Sequence, residues 1–320
     1  MSYEPVSIHT MVAQSTIPFS IYVKLENKYS TVLEKGDVFS PQLKTDLLLL
    51  DEESDKIYIH KDSWSEYTSY MRLYLNEHAR DKSIPFEDRS RLVYYLGGTI
   101  LEEVFRDPYC ADSFRQSQEI SENVAYLVME QADTLWSLIE AGSQDYTTYN
   151  HSVDVALFAT GFGDYLNMDI EDLKKLSFAA LMHDIGKSRL DQDILHKNGK
   201  INNEEFTHIK DHSVYGEMIL KEHGVNDEDI LKGVRHHHEK EDGSGYPDNL
   251  KGKDTSLFAK IISIADIFSA ITTDRSYKQA CSSYETLLIM KNKMSHEVDN
   301  KLLQEFIKFQ MGIATKKGTR

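Results

Sequence analysis

From Arg89 onward the apolar residues recur with the period of an α-helix, and this limits most of the chain to helix-on-helix packing. Phe114, Val124, Leu127, Val128, Leu135, Leu138 and Ile139 form one stripe along a long segment. Further helices are expected at about 146–165, 170–184, 203–222, 226–238, 256–275, 283–294 and 299–310. Before Arg89 the pattern is different. Between Pro18 and His60 the runs FSIYVKL, YSTVL and KIYIH read as strands of a small sheet. Ser63-x-x-Glu66 then reads as a capping box opening a helix with Trp64, Tyr67, Tyr70, Met71 and Tyr74, aromatics whose spacing suits packing better than ligand contact. The expected class is mainly α, an all-helical domain preceded by a small α+β domain. A break at Lys82-Ser83-Ile84-Pro85 sets the expected division: 1–85 as the N-terminal domain, 86–140 as a helical linker or spine, and 141–320 as the domain carrying the chemistry. A chain of 320 residues suits two such units.

A formal net charge of −16 argues against a general nucleic-acid binder, which needs a basic face to displace counterions from many phosphates. A small phosphorylated ligand needs only a few local cations. No apolar run approaches the roughly 20 residues that span a bilayer, and MSYEPVSIHTMVAQ lacks the architecture of a secretion signal, so a cytoplasmic protein without membrane contact is expected. Cys110 and Cys281 are too few and too far apart for a disulfide framework or a thiolate metal site. The histidines are more informative, because they concentrate between His183 and His238.

His183-Asp184 closes the apolar segment LKKLSFAALM and is followed by Ile185-Gly186-Lys187, where Gly186 can end the helix. An apolar helix thus delivers an imidazole, a carboxylate and an ammonium to one place, and such groups need pairing, hydrogen bonds or a metal when buried. Alone, a His-Asp pair is more often a helix-terminal hydrogen bond. Asp266 lies inside AKIISIADIFSAIT, where a carboxylate needs a cation, either a basic side chain or a metal. His237 and His238 stand in Arg235-His-His-His-Glu239, before Asp242-Gly243-Ser244-Gly245-Tyr246-Pro247. Adjacent helical side chains diverge by about 100°, so neighbouring histidines address different positions of an extended centre. His208 and His212 lie one turn apart, and spacing alone does not choose between them.

The order HDIGK at 183–187, His212 after KNGKINNEEF, HHE at 237–239, DGSGYP at 242–247, and Asp266 followed by RSYK at 275–278 resembles the HD-GYP branch of the HD phosphohydrolase superfamily over roughly residues 140–310. The resemblance implies an all-helical HD-type domain with metals held by His151, His183, Asp184, His212, His237, His238 and Asp266, leaving His208 and His236 outside the set. Three histidines in a row permit a one-residue slip at His236. Seven ligand groups exceed the needs of one ion, so two divalent metals bridged by Asp184 are expected. A glutamate found in some members one turn before the first histidine, where it serves a third metal, is here Thr147, and Asp145 has the wrong helical phase to replace it. Imidazole and carboxylate without thiolate suit iron or manganese, with zinc only weakly disfavoured, and the family leans to iron.

The reaction implied is hydrolysis of cyclic di-GMP to the linear dinucleotide, with onward hydrolysis to GMP left open, by a hydroxide bridging the metals. Asp184 and Lys187 are the catalytic candidates. Lys187 would stabilise the charged transition state or assist the leaving oxygen; its alternative is a plain salt bridge. Tyr246, Arg275 and Lys278 would contact the nucleotide, the two cations at phosphate and the tyrosine by hydrogen bonding or stacking. Gly243 and Gly245 are read as permitting backbone conformations that other residues resist. Asn198 and Ser276 replace prolines usual in the family. Two other readings stand beside this one: hydrolysis of another cyclic dinucleotide or nucleotide phosphate ester, and a cyclic-dinucleotide sensor or scaffold with little turnover. The N-terminal domain is assigned a regulatory or oligomerising role, with a second copy or a signalling protein as partner. The segment 111–140 suits either a dimer helix or a spine between domains.

Overall fold

The computed structural model describes residues 2–25, 28–50, 56–82, 84–142, 148–195, 197, 199, 201–272 and 281–312. The chain divides into two compact units, 1–96 and 97–320. In the first, strands β1 (Tyr3–Ser7), β2 (Ile21–Leu25), β3 (Lys28–Leu33) and β4 (Lys56–His60) form an antiparallel sheet in the order β1-β4-β2-β3. β1 carries Pro5 and lies at the sheet edge, where a residue without an N–H costs no ladder bond. Helix α1 (Pro41–Leu50) lies between β3 and β4, and α2 (Trp64–Arg80) follows β4. Alternate residues Ile57 and Ile59 of β4 are buried together with Ile17, Phe19, Ile21 and Met71. Tyr67 and Tyr70 are packed as expected, with their hydroxyls bonded to Thr10 (3.1 Å) and Ser15 (2.6 Å).

Three local expectations change here. β1 and α1 were not anticipated. The Ser63 side chain does not cap α2, and Glu66 instead pairs with Lys35 at 2.7 Å, so a tertiary contact replaces the local one.

α2 ends at Arg80 and α3 (Phe86–Arg106) begins just after Pro85. α4 (Ala111–Gly142) is separated from α3 by Asp107–Cys110 and has extended backbone at Gln131, so the expected long segment is broken. Then come α5 (Thr148–Tyr165), α6 (Ile170–Leu181), a 3₁₀ turn (Ile185–Arg189), α7 (Gln192–Leu195), α8 (Asn203–Lys210), α9 (His212–Glu222), α10 (Glu228–His236), α11 (Leu257–Thr272), α12 (Ser283–Lys293) and α13 (Asn300–Gln310). Several starts are fixed by side-chain caps. Asp169 accepts from the Asp172 amide, Asp227 from Asp229 and Ile230, and Asn202/Glu205 and Ser282/Glu285 form reciprocal capping boxes. The segment expected as one helix over 203–222 is two helices meeting at Asp211. The helix expected to reach 184 stops at Leu181, which leaves His183-Asp184 on the turn beyond it. Among the described residues no helix is long and apolar enough to cross a membrane.

The core of this unit is built on α5 and α11. Val153, Ala156, Ala159 and Phe162 of α5 and Ile261, Ile262, Ile264, Ala265 and Phe268 of α11 are buried. Phe158 meets Phe268 edge-on at 5.0 Å, and Phe306 of α13 meets Phe162 at 5.1 Å. Each large side chain so buried contributes about 1.5–3 kcal/mol. This gives a rigid base for the polar residues that interrupt it.

Gly186 is required for a reason other than helix ending. A Cβ there would lie 1.8 Å from the His212 carbonyl oxygen and 2.5 Å from the Gly216 amide nitrogen, so the glycine lets the turn after His183-Asp184 press against the backbone of α9. Gly186→Ala is expected to destabilise the protein by about 3 kcal/mol or more, read as a lower urea midpoint. An unchanged midpoint would show that α9 can retreat without cost.

Candidate metal centre

Five elements meet around the buried polar residues. α5 supplies His151, the turn beyond α6 supplies His183 and Asp184, α9 begins at His212, α10 runs into His237 and His238, and α11 supplies Asp266. His151, His183, Asp184, His212 and His237 are all buried, and the side chain of Asp266 is 16% exposed.

Three histidines share one device. Nδ1 of His183, His212 and His237 donates to the carbonyl three residues earlier, of Ala180 (2.8 Å), Ile209 (2.7 Å) and Val234 (2.7 Å). A carbonyl can only accept, so Nδ1 carries the proton and Nε2 faces inward with a bare lone pair. The Nε2 atoms of His212 and His237 are only 3.3 Å apart. Two lone pairs at that separation repel unless a proton or a metal cation stands between them. Burial, reinforced by His238 and His183, holds His237 well below the ordinary histidine range, and burial lowers His212 too, despite Asp184. His238 is pushed down to about 3, chiefly by burial. A proton is therefore disfavoured and a metal fits. His183 Nε2 is likewise buried with no hydrogen bond among the described residues.

Asp184 joins the two sides. Oδ1 lies 3.4 Å from His212 Nε2 and Oδ2 lies 3.3 Å from His183 Nε2. The Lys187 ammonium is paired with Oδ2, the salt bridge named above as its alternative. Burial opposes the charge on Asp184, but Lys187 and His183 outweigh it and hold the carboxyl well below its usual range. His183 is raised, the charge of Asp184 overcoming burial. His151 Nε2 faces Asp266 Oδ1 at 3.0 Å, and its Nδ1 meets the Ser269 hydroxyl at 3.0 Å. The ionised Asp266 oxygen only accepts, so His151 Nε2 carries the proton here and Nδ1 accepts from the Ser269 hydroxyl. Asp266 is held ionised by His151 against the cost of burial. The residues thus form two adjoining groups able to hold a metal, Asp184-His212-His237-His238 and His151-His183-Asp266, with the candidate atoms of each within 4.8 Å of one another.

All seven residues expected as ligands come together here. His236 does not join them: its Nε2 bonds Asp248 Oδ2 at 2.8 Å. His208 is exposed, 3.9 Å from Asp211. The Tyr246 ring lies 4.7 Å from that of His238 and 6.2 Å from that of His212. Burial, with the charges of Asp184 and Asp266, pushes its hydroxyl pKa up, so it remains a donor. Arg275 and Lys278 lie outside the described residues, as do Asp145, Thr147, Asn198 and Ser276.

Sequence reasoning did not find what holds the tyrosine in place. Buried Glu239 accepts from the amides of Asp248 (2.6 Å) and Leu250 (2.9 Å), folding the loop back over α10. Asp248 in turn takes both arms of Arg235, at 2.7 and 2.9 Å, while Arg235 also reaches Glu217 at 2.7 Å. Arg235 is the main reason the Asp248 carboxyl falls to about 2. Gly243 has φ +82, the left-handed region expected of it, whereas a Cβ on Gly245 would sit 2.4 Å from the Lys240 amide, so Gly245 serves close approach. The signal for this clamp was the third letter of HHE, a carboxylate directly after two inward histidines. Ser269 could have been found at one helical turn beyond Asp266.

A sequence model of the family described as HD domain matches residues 122–302. A 3'3'-cGAMP-specific phosphodiesterase of Vibrio cholerae is 35% identical over 177 residues, covering 52% of this chain and 38% of that protein. A cyclic di-GMP phosphodiesterase of Pseudomonas aeruginosa is 28% identical over 207 residues, covering 64% of this chain and 50% of that protein. The chain therefore spans half or less of the length of these relatives. Among solved structures, an HDG"Y"P protein from Bdellovibrio bacteriovorus shares the fold with a TM-score of 0.66 at 20% identity, covering 97% of this chain and 100% of that one.

The depressed histidines set a pH dependence in metal-free protein. His151, His212, His237 and His238 bind protons more readily unfolded, where the ordinary value is 6.5, than folded. Their contribution is present above about pH 6.5 and is lost as pH falls below it. The raised His183 opposes this with one group against four. The melting temperature of chelated protein is expected to fall from pH 7 to pH 5, and to fall less steeply in His238→Gln. Equal slopes in the two proteins would contradict the assignment.

Proposed function

The chain belongs to the HD domain family, and on that premise we propose that it is a metal-dependent phosphodiesterase hydrolysing cyclic di-GMP to the linear dinucleotide. The observation that carries this reading is the single carboxylate of Asp184 set between two groups of inward-facing histidines. Two metals would share it, one held by His212, His237 and His238, the other by His151, His183 and Asp266. The oxygen and nitrogen donors suit iron, with manganese as the alternative. When bound, the ions supply Lewis acidity at the phosphate and make water acidic enough to attack it.

The chain's own residues do the rest. The Nδ1 bonds to carbonyls fix the imidazoles of His183, His212 and His237 in place before a ligand arrives. Lys187, paired with Asp184 one turn away, would set its ammonium beside the reacting phosphate, where it can stabilise the transition state or assist the leaving oxygen. Tyr246, held by the Glu239 and Asp248 clamp, offers a phenolic donor beside His238. Arg275 and Lys278 bind the phosphates. The Vibrio relative favours a second substrate reading, 3'3'-cGAMP, within the same chemistry.

Protein loaded with Fe(II) or Mn(II) without oxygen is expected to convert one or both cyclic dinucleotides to linear product, followed by chromatography. Asp184→Asn should lower turnover by about 10³-fold or more and lose metal. Intact substrate with either metal would overturn the assignment, and tight binding without product would identify a receptor instead.

A further inference from the structure

At the lip of the candidate site, in a chain of net charge −16, stands a lysine with no carboxylate partner among the described residues. Lys210, the last residue of α8, makes no ion pair among the described residues. Its ammonium instead lies over two aromatic rings, 4.9 Å from the centre of Phe206 and 5.4 Å from that of Tyr246. Phe206 is one helical turn earlier on the same face and is 48% exposed, an apolar ring left in water beside the site. Tyr246 stands between this pair and the histidines, with its ring 6.2 Å from that of His212. Cation and aromatic surface therefore begin one ring's breadth beyond the atoms able to hold metal.

From this arrangement we infer that Phe206 and Lys210 form a subsite for the base of the bound nucleotide and that Lys210 selects guanine. The inference rests on the reading of the chain as a cyclic dinucleotide phosphodiesterase. A phosphate at the histidine cluster places the adjoining nucleoside outward, past Tyr246. An exposed aromatic face stacks on any base. The ammonium discriminates: guanine presents two acceptors, O6 and N7, on one edge, whereas adenine presents N7 beside the N6 amino donor, which repels a cation. The two rings favour the charged amine and hold it without neutralising it, as a carboxylate partner would.

The probes are 5'-GMP and 5'-AMP, which carry the same phosphate and no diester to cleave. Binding to metal-loaded protein is measured by calorimetry, with metal content determined for every variant. Wild type is expected to prefer GMP by about tenfold. Lys210→Met should bring that preference close to one while leaving AMP affinity and metal content unchanged. Phe206→Ala should weaken both nucleotides by about fivefold or more. Equal weakening of both by Lys210→Met would mean that the lysine serves phosphate and would overturn the guanine assignment, as would no change in either. Cyclic dinucleotide turnover by the same wild-type preparation separates the two readings. Turnover with an unmoved base preference sinks this inference alone, and no turnover with no nucleotide binding sinks both.

Discussion

One carboxylate, that of Asp184, organises the site. It is buried at the end of an apolar helix, where an isolated charge is untenable, and it is shared among His183, His212 and Lys187. Each of those partners is itself committed. The two imidazoles give their other nitrogen to a carbonyl three residues back, and Lys187 is tied to Asp184 by the single turn between them. The turn can present this set only because Gly186 lets α9 come within backbone contact. Core packing of α5 against α11 then delivers His151 and Asp266 to the other side of the same carboxylate.

This arrangement has a consequence for chemistry. Bare imidazole nitrogens 3.3 Å apart, held neutral by burial, are poor for the protein alone and good for a cation. The protein stores that mismatch in a rigid helical base and confines adjustable groups to the rim: Lys187, the clamped Tyr246 loop, and Lys210 over its two rings. Tyr246 lies between the histidine cluster and Lys210, 4.7 Å ring to ring from His238 and 5.4 Å from the Lys210 ammonium.

Much of this was readable from the chain, for physical reasons specific to the residues concerned. Asp266 was conspicuous because a carboxylate in AKIISIADIFSAIT has no bland surface position, and the helices around it follow from their apolar period. What escaped notice depended on contacts between distant residues or on weak local patterns. β1 contains Pro5, acceptable only at an edge that the sequence does not reveal. α1 has its apolar residues in one run, LLLL, without a period, although Ser40-Pro41 marked its start: the Ser40 hydroxyl accepts from the Leu43 amide at 3.1 Å. The Ser63 capping box lost its glutamate to Lys35, 31 residues away. The Glu239 clamp exists only once the loop has folded back, and Lys210 gains its place when the chain turns at Asp211 rather than continuing as one helix.

The most direct measurement is elemental analysis of protein purified without oxygen, which gives the identity and the number of bound ions together. Two ions per chain, predominantly iron, are expected from two adjoining groups of donors, with Asp184 within reach of His212 in one and His183 in the other. One ion or none per chain, under conditions that keep iron reduced, would contradict the shared-carboxylate centre.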